Sequence, residues 1–190
     1  MITHIELVNA VGGGNIRSEF NLTELQTHFS FNSEYEPEQH PGLYFEHPET
    51  GVTVMLFRTG EYHLTGGKSI EELRMTGDSL LSLLADVLPD LKSEEATFDV
   101  RNLVHTADIG QELELSELAV GLGLDVTEYN PEQFPGLVYS NQKFDGTFLM
   151  FRSGKIILTG CKSMDAVDSA FDYLDEELEE LFSLDDSPTN

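Results

Sequence analysis

Tyr35-Glu36-Pro37-Glu38-Gln39-His40-Pro41-Gly42-Leu43 returns 94 residues later as Tyr129-Asn130-Pro131-Glu132-Gln133-Phe134-Pro135-Gly136-Leu137. Laying residues 35–69 over 129–163 without a gap gives 16 identities in 35 positions. Phe57-Arg58-Thr59-Gly60 falls on Phe151-Arg152-Ser153-Gly154, and Leu64-Thr65-Gly66-Gly67-Lys68-Ser69 on Leu158-Thr159-Gly160-Cys161-Lys162-Ser163. At an offset of 93, Leu7-Val8-Asn9-Ala10-Val11 lies over Val100-Arg101-Asn102-Leu103-Val104, so one single-residue insertion separates the anchors. A period this long is not that of a solenoid; two copies imply a pseudo-twofold structure. The expected division is 1–93 for the first repeat, 94–184 for the second and 185–190 for an acidic C-terminal tail.

Each copy reads alike. A strand (Ile5–Val11; Thr97–Val104) precedes a loop and a short helix (Leu22–Phe29; Leu115–Leu122), with Asn21 and Ser116 as the expected caps. Three strands follow between turn signals: Gly42–Glu46, Thr53–Phe57 and Glu61–Thr65, then Gly136–Ser140, Thr147–Phe151 and Lys155–Thr159. A long helix closes each copy. Over Met164–Phe182 the apolar residues step by threes and fours, with carboxylates opposite. In the first copy Ser69 and Glu72 fit a capping box before Leu73–Leu88, which Pro89 stops. The class is therefore α+β: two β-rich halves whose sheets can join edge to edge into one curved antiparallel sheet, helices on one face. The other face stays uncovered, and a large uncovered apolar face is a binding surface.

Composition sets further bounds. No run of eighteen apolar residues and no signal-peptide pattern is present, so the chain is expected to be cytoplasmic. The single cysteine, Cys161, has no partner for a disulfide. The six histidines lack metal-ligand spacing, no nucleophile–base set stands out, and no enzymatic activity is expected. Gly12-Gly13-Gly14 follows a strand without completing a phosphate loop and reads as a flexible connection. With 35 acidic against 10 basic residues the net charge is -25, which ordinarily opposes a nucleic-acid partner. Pervasive acidity with few lysines resembles proteins of halophiles, whose cytoplasm is molar in salt; there the Debye length is about 3 Å, and repulsion is largely screened.

Taken in order, Asn102-Leu103-Val104, Tyr129–Leu137, Phe151-Arg152-Ser153-Gly154-Lys155 and Leu158-Thr159-Gly160 resemble the TATA-box-binding protein family, and with their first-half counterparts they cover nearly the whole chain. The resemblance implies a saddle with an exposed concave sheet that binds and bends A·T-rich promoter DNA through the minor groove, a mode for which that family is a standard example. It also implies recruitment of transcription factor B and RNA polymerase, and no cofactor.

Minor-groove edges of A·T pairs offer acceptors, so a reading sheet needs a few donors among apolar contacts. By the resemblance the donors are Asn9, Asn102, Thr65 and Thr159, and the apolar contacts Val11, Val104, Met55, Leu149 and Ile157. Phe134 and Phe151 have the spacing of the family's intercalating pair; Phe57 keeps its place in the first half, where His40 stands at the partner position. Phosphate contacts reduce to Arg58, Lys68, Lys143, Arg152, Lys155 and Lys162. Asn130, Glu132 and Gln133 lie in the turn through which the family engages transcription factor B. Glu61 replaces the lysine that Lys155 retains, His63 faces Ile157, and Glu46 and Glu49 stand where relatives carry basic residues. These departures favour an alternative: a divergent paralogue acting through protein contacts, with weakened DNA binding.

Overall fold

The computed structural model describes residues 1–89 and 91–185; residues 186–190 of the expected acidic tail lie outside the described residues. Ten strands form one sheet in the order β2-β3-β4-β5-β1-β6-β10-β9-β8-β7. The first copy contributes β1 (Thr3–Asn15), α1 (Leu22–His28), β2 (Ser33–Glu34), β3 (Gly42–Glu46), β4 (Thr53–Phe57), β5 (Glu61–Gly67) and α2 (Ile70–Val87). A 3-10 turn at Ser93–Glu95 leads to β6 (Asp99–Asp108), α3 (Leu115–Leu122), β7 (Thr127–Glu128), β8 (Leu137–Tyr139), β9 (Thr147–Met150), β10 (Lys155–Cys161) and α4 (Met164–Asp185).

The chain divides into two compact units, Asn9–Arg101 and Met1–Val8 with Asn102 onward. Each unit thus holds its own stretch of β1 and of β6. In the second, Asp175 of α4 accepts the Ile2 backbone N–H at 2.7 Å, and Thr3 Oγ1 donates to the Asp108 carbonyl at 3.0 Å. In the first, Thr97 N–H donates to the Asn15 carbonyl at 3.0 Å.

Alternation along the strands separates two faces in each unit. Val54, Leu56, Tyr62 and Leu64 are buried together with Leu73, Leu80 and Leu84 of α2. Phe148, Met150, Ile156 and Leu158 are buried together with Val167, Phe171, Leu174 and Leu178 of α4. Met164, expected on that helical face, is exposed. The intervening strand residues (Met55, Phe57, His63; Leu149, Phe151, Ile157) remain half-buried.

Caps account for most helix starts. Asn21 accepts from Glu24 N–H, Ser69 from Glu72 N–H and Ser163 from Ala166 N–H. Glu72 returns its carboxylate to the Lys68 N–H at 2.7 Å, one residue earlier than a strict capping box. Ser116 is not a cap. It lies inside α3, whose N-cap is Glu114 without a side-chain bond.

Gly12-Gly13-Gly14 is likewise not a flexible connection; it is the buried end of β1, paired with Leu64, His63 and Tyr62. A Cβ on Gly14 would lie 1.8 Å from the Thr97 carbonyl oxygen, and one on Gly13 would lie 2.3 Å from that of Tyr62 and 3.2 Å from the Arg101 guanidinium. Gly13 and Gly14 are there because neighbouring backbone crosses where side chains would stand, whereas Gly12 sits against the Phe98 and Leu73 side chains.

Candidate nucleic-acid interface

One asparagine organises the uncovered face of each unit, Asn102 in the second and Asn9 in the first. Asn102 Oδ1 accepts the Gly160 N–H at 2.6 Å, while its Nδ2 donates to Thr159 Oγ1 at 3.1 Å. Asn9 Oδ1 accepts the Gly66 N–H at 3.1 Å. A backbone N–H can only donate, so each amide is oriented with its oxygen inward and at least one N–H still available. The glycines make this possible. Gly66 and Gly160 have φ of +87° and +101°, at interruptions of regular pairing where β1 meets β5 and β6 meets β10.

Beside Asn9 stand Val11, Met55, Phe57 and Thr65; beside Asn102 stand Val104, Leu149, Ile157 and Thr159, with none of these side chains in the cores just described. Tyr44, Thr53, Val138 and Thr147 belong to the same strand faces and were not anticipated: Thr53 and Thr147 lie two residues from Met55 and Leu149, and Tyr44 and Val138 are the cross-strand partners of those two. A shallow cavity of about 450 Å³ opens in the second unit between His4, Thr106, Phe151, Lys155 and Ile157.

Phe134 and Phe151 meet edge to face, their centroids 5.9 Å apart. Gly136 gives them room, since a Cβ there would come within 2.7 Å of the Phe134 ring. The first unit is built differently. His40 is exposed and packs edge-on against Tyr44 at 5.5 Å, and Phe57 pairs with His63 at 5.2 Å.

Charges on this face are mostly matched internally. Glu61 takes a hydrogen bond from His63 Nε2 at 3.1 Å and from Arg101 at 3.2 Å, so His63 first and Arg101 second hold its carboxyl below the ordinary value. Arg58 pairs with Glu19, and Arg152 with Glu114, each at 3.4 Å and largely exposed. Lys68, Lys155 and Lys162 are exposed. Lys143 stands apart from the uncovered face: its ammonium donates to Tyr173 of α4 at 3.0 Å, on the helical side. No cluster of metal-ligating side chains occurs among the described residues, and no helix is long and apolar enough to cross a membrane.

Asn130, Glu132 and Gln133 form an exposed turn before β8. Gln133 and Phe134 N–H groups donate to the Asn130 carbonyl, and Glu132 N–H to Asn130 Oδ1 at 3.2 Å. The carboxylate of Glu132 is left facing outward on a fixed loop.

The family model described as transcription factor TFIID, or TATA-binding protein, matches residues 4–87 and again 97–181. TATA-box-binding protein C of Halobacterium salinarum is 38% identical over 178 residues, covering 93% of this chain and 98% of that protein. The TATA-box-binding protein of Natronomonas pharaonis is 38% identical over 184 residues, covering 95% and 96%. The solved structure of Methanococcus jannaschii TBP superposes with a TM-score of 0.77 at 34% identity, covering 94% of this chain and 99% of that one.

Proposed function

Because this chain belongs to the TATA-binding protein family, we propose that it is a transcription initiation factor that binds A·T-rich promoter DNA in the minor groove. The observation that carries this reading is the fixed orientation of the two amides. Asn9 and Asn102 spend their oxygens on Gly66 and Gly160 and keep N–H donors for the adenine N3 and thymine O2 acceptors of A·T pairs. The apolar side chains around them make no such bonds and leave the guanine amino group of a G·C pair without a partner.

Bending follows from the wedges. Phe134 and Phe151, set against each other, enter a base step of the bound duplex and kink it, as minor-groove proteins do with apolar side chains. Arg152, Lys155 and Lys162 then serve phosphates beside the second unit, and Arg58 and Lys68 beside the first; Lys143, held on Tyr173, takes no part. The fixed turn Asn130–Gln133 presents Glu132 to transcription factor B, which brings RNA polymerase. The repeats 1–93 and 94–184 each supply one half-site. A gel-shift titration comparing a TATA duplex with a G·C duplex of equal length tests the reading: preference for the TATA duplex supports it, and equal affinity defeats it.

A second reading has its own observation. In the first unit Phe57 pairs with His63, and His40 lies on Tyr44, so no phenylalanine pair stands ready there. This favours a paralogue whose first half grips DNA weakly and which acts more through protein contacts.

A further inference from the structure

Among the described residues of the first unit, Arg101 is the only Lys or Arg that lies on a strand. It projects from β6 across the bare glycine end of β1, its guanidinium carbon 3.2 Å from where a Cβ of Gly13 would stand. There Nη2 donates to Glu61 Oε1 at 3.2 Å, and the side chain is 37% exposed. A guanidinium carries five N–H donors. Among the described residues, Glu61 takes the only hydrogen bond this side chain makes.

The second repeat is arranged otherwise at the matching positions. Lys155 stands for Glu61, Ile157 for His63, Thr106 for Gly13 and Val8 for Arg101. In the second unit the cation therefore rises from β10; in the first it comes from β6, and the β5 position carries a carboxylate instead. With a carboxylate at position 61 and an arginine at position 101, this part of the first unit's sheet still carries one cation.

We propose that Arg101 is a DNA-contacting residue of the first half, reading minor-groove acceptors of A·T pairs, and that Glu61 is its internal counter-ion, which yields it when DNA binds. This rests on the reading of the chain as a binder of A·T-rich DNA. The exchange is chemically balanced. An exposed single-bond ion pair costs little to break, and Glu61 keeps the hydrogen bond from His63 Nε2 when Arg101 turns away. The glycine end of β1 lets the guanidinium lie close to the sheet and leaves room for a groove edge above it. Guanidinium N–H donors suit the adenine N3 and thymine O2 acceptors that the minor groove of A·T pairs presents.

A double-mutant cycle tests this. Affinity for a TATA duplex is measured by fluorescence anisotropy at one fixed potassium chloride concentration for the full chain and for Glu61→Gln, Arg101→Gln and the double variant. Arg101→Lys and thermal melts serve as folding controls. Glu61→Gln is expected to bind about three- to tenfold tighter by freeing Arg101, and Arg101→Gln about tenfold weaker. In the Arg101→Gln background, Glu61→Gln should change affinity by less than about twofold. An equal gain with and without Arg101 would mean a through-space charge effect and overturns the proposal, as does unchanged affinity in a folded Arg101→Gln variant. If the unaltered chain does not prefer TATA over G·C duplex, the functional reading fails, and this proposal with it.

Discussion

Asn102 Oδ1 lies 2.6 Å from the backbone nitrogen of Gly160, a residue at φ +101° where the β6–β10 pairing is interrupted. The bond decides which end of the amide faces outward, and Asn9 with Gly66 repeats it in the other unit. Because a backbone N–H can only donate, flipping the amide would set its NH2 against that N–H and leave both without an acceptor.

That relationship predicts a separation of folding from binding. Asn102→Asp retains an acceptor for Gly160 and removes both amide donors, so the melting temperature should hold while affinity for a TATA duplex falls at least about tenfold. Asn9→Asp should do the same. Wild-type affinity in either folded variant would remove the amides from the interface.

The wedges should contribute unequally. Phe134 is braced by Phe151 at 5.9 Å, whereas His40 is exposed on Tyr44, and an imidazole costs more to desolvate between bases than a phenyl ring. Energy transfer between dyes at the two ends of a bound duplex should drop sharply for Phe134→Ala and little for His40→Ala. Equal losses would show that both halves kink the DNA alike.

Much of this was legible in the sequence because the repeat supplied two readings of each element. Gly42–Glu46, Thr53–Phe57 and Leu115–Leu122 have the expected bounds, set by turn glycines and apolar spacing. What failed were features decided by non-local contact. Gly12-Gly13-Gly14 looks like a hinge until Thr97 and Arg101 are seen to pass over it. Two-residue strands β2 and β7 carry no period at all. Glu61 reads as a bare carboxylate beside phosphates, yet its partner Arg101 is forty residues away in the chain and invisible to spacing. Ser116 has the right chemistry for a cap but sits two positions too late.

The glycine end of β1 makes a stability prediction. Gly14→Ala would put a methyl 1.8 Å from the Thr97 oxygen and must shift backbone, so it should cost about 3 kcal/mol or more. Gly12→Ala meets side chains of Phe98 and Leu73 at 3.1 and 3.2 Å, which can give way, and should cost less. Urea denaturation of the two variants checks the order; equal midpoints would contradict it.

Acid should weaken the second unit through His105. This residue is 1% exposed, neither ring nitrogen has a hydrogen-bond partner among the described residues, and burial pushes its pKa down, partly opposed by Asp168. A histidine whose folded pKa is lowered stays neutral in the folded chain while the unfolded chain takes up a proton. Its contribution is therefore complete above the ordinary value near 6.5 and is lost as pH falls from there toward the lowered folded pKa. The slope is at most about 1.4 kcal/mol per pH unit. His105→Leu should flatten the decline in unfolding free energy between about pH 7 and pH 5; an unchanged slope would point to other groups.

The central claim is that an apolar, donor-studded sheet face, with little help from a basic surface, binds DNA in a chain of net charge -25. Ordinary basic proteins release counterions on binding and lose affinity as salt rises. Here Arg58 and Arg152 are already paired with Glu19 and Glu114, while exposed Glu46 and Glu49 would need cations to approach phosphates. Burial of the apolar face, at about 25 cal/mol per Å², is not weakened by salt. The decisive measurement is an anisotropy titration of a TATA duplex from about 0.1 M to above 1 M potassium chloride, with folding verified at each point. Affinity should stay flat or rise with salt; a steep monotonic loss would contradict binding through the apolar sheet face.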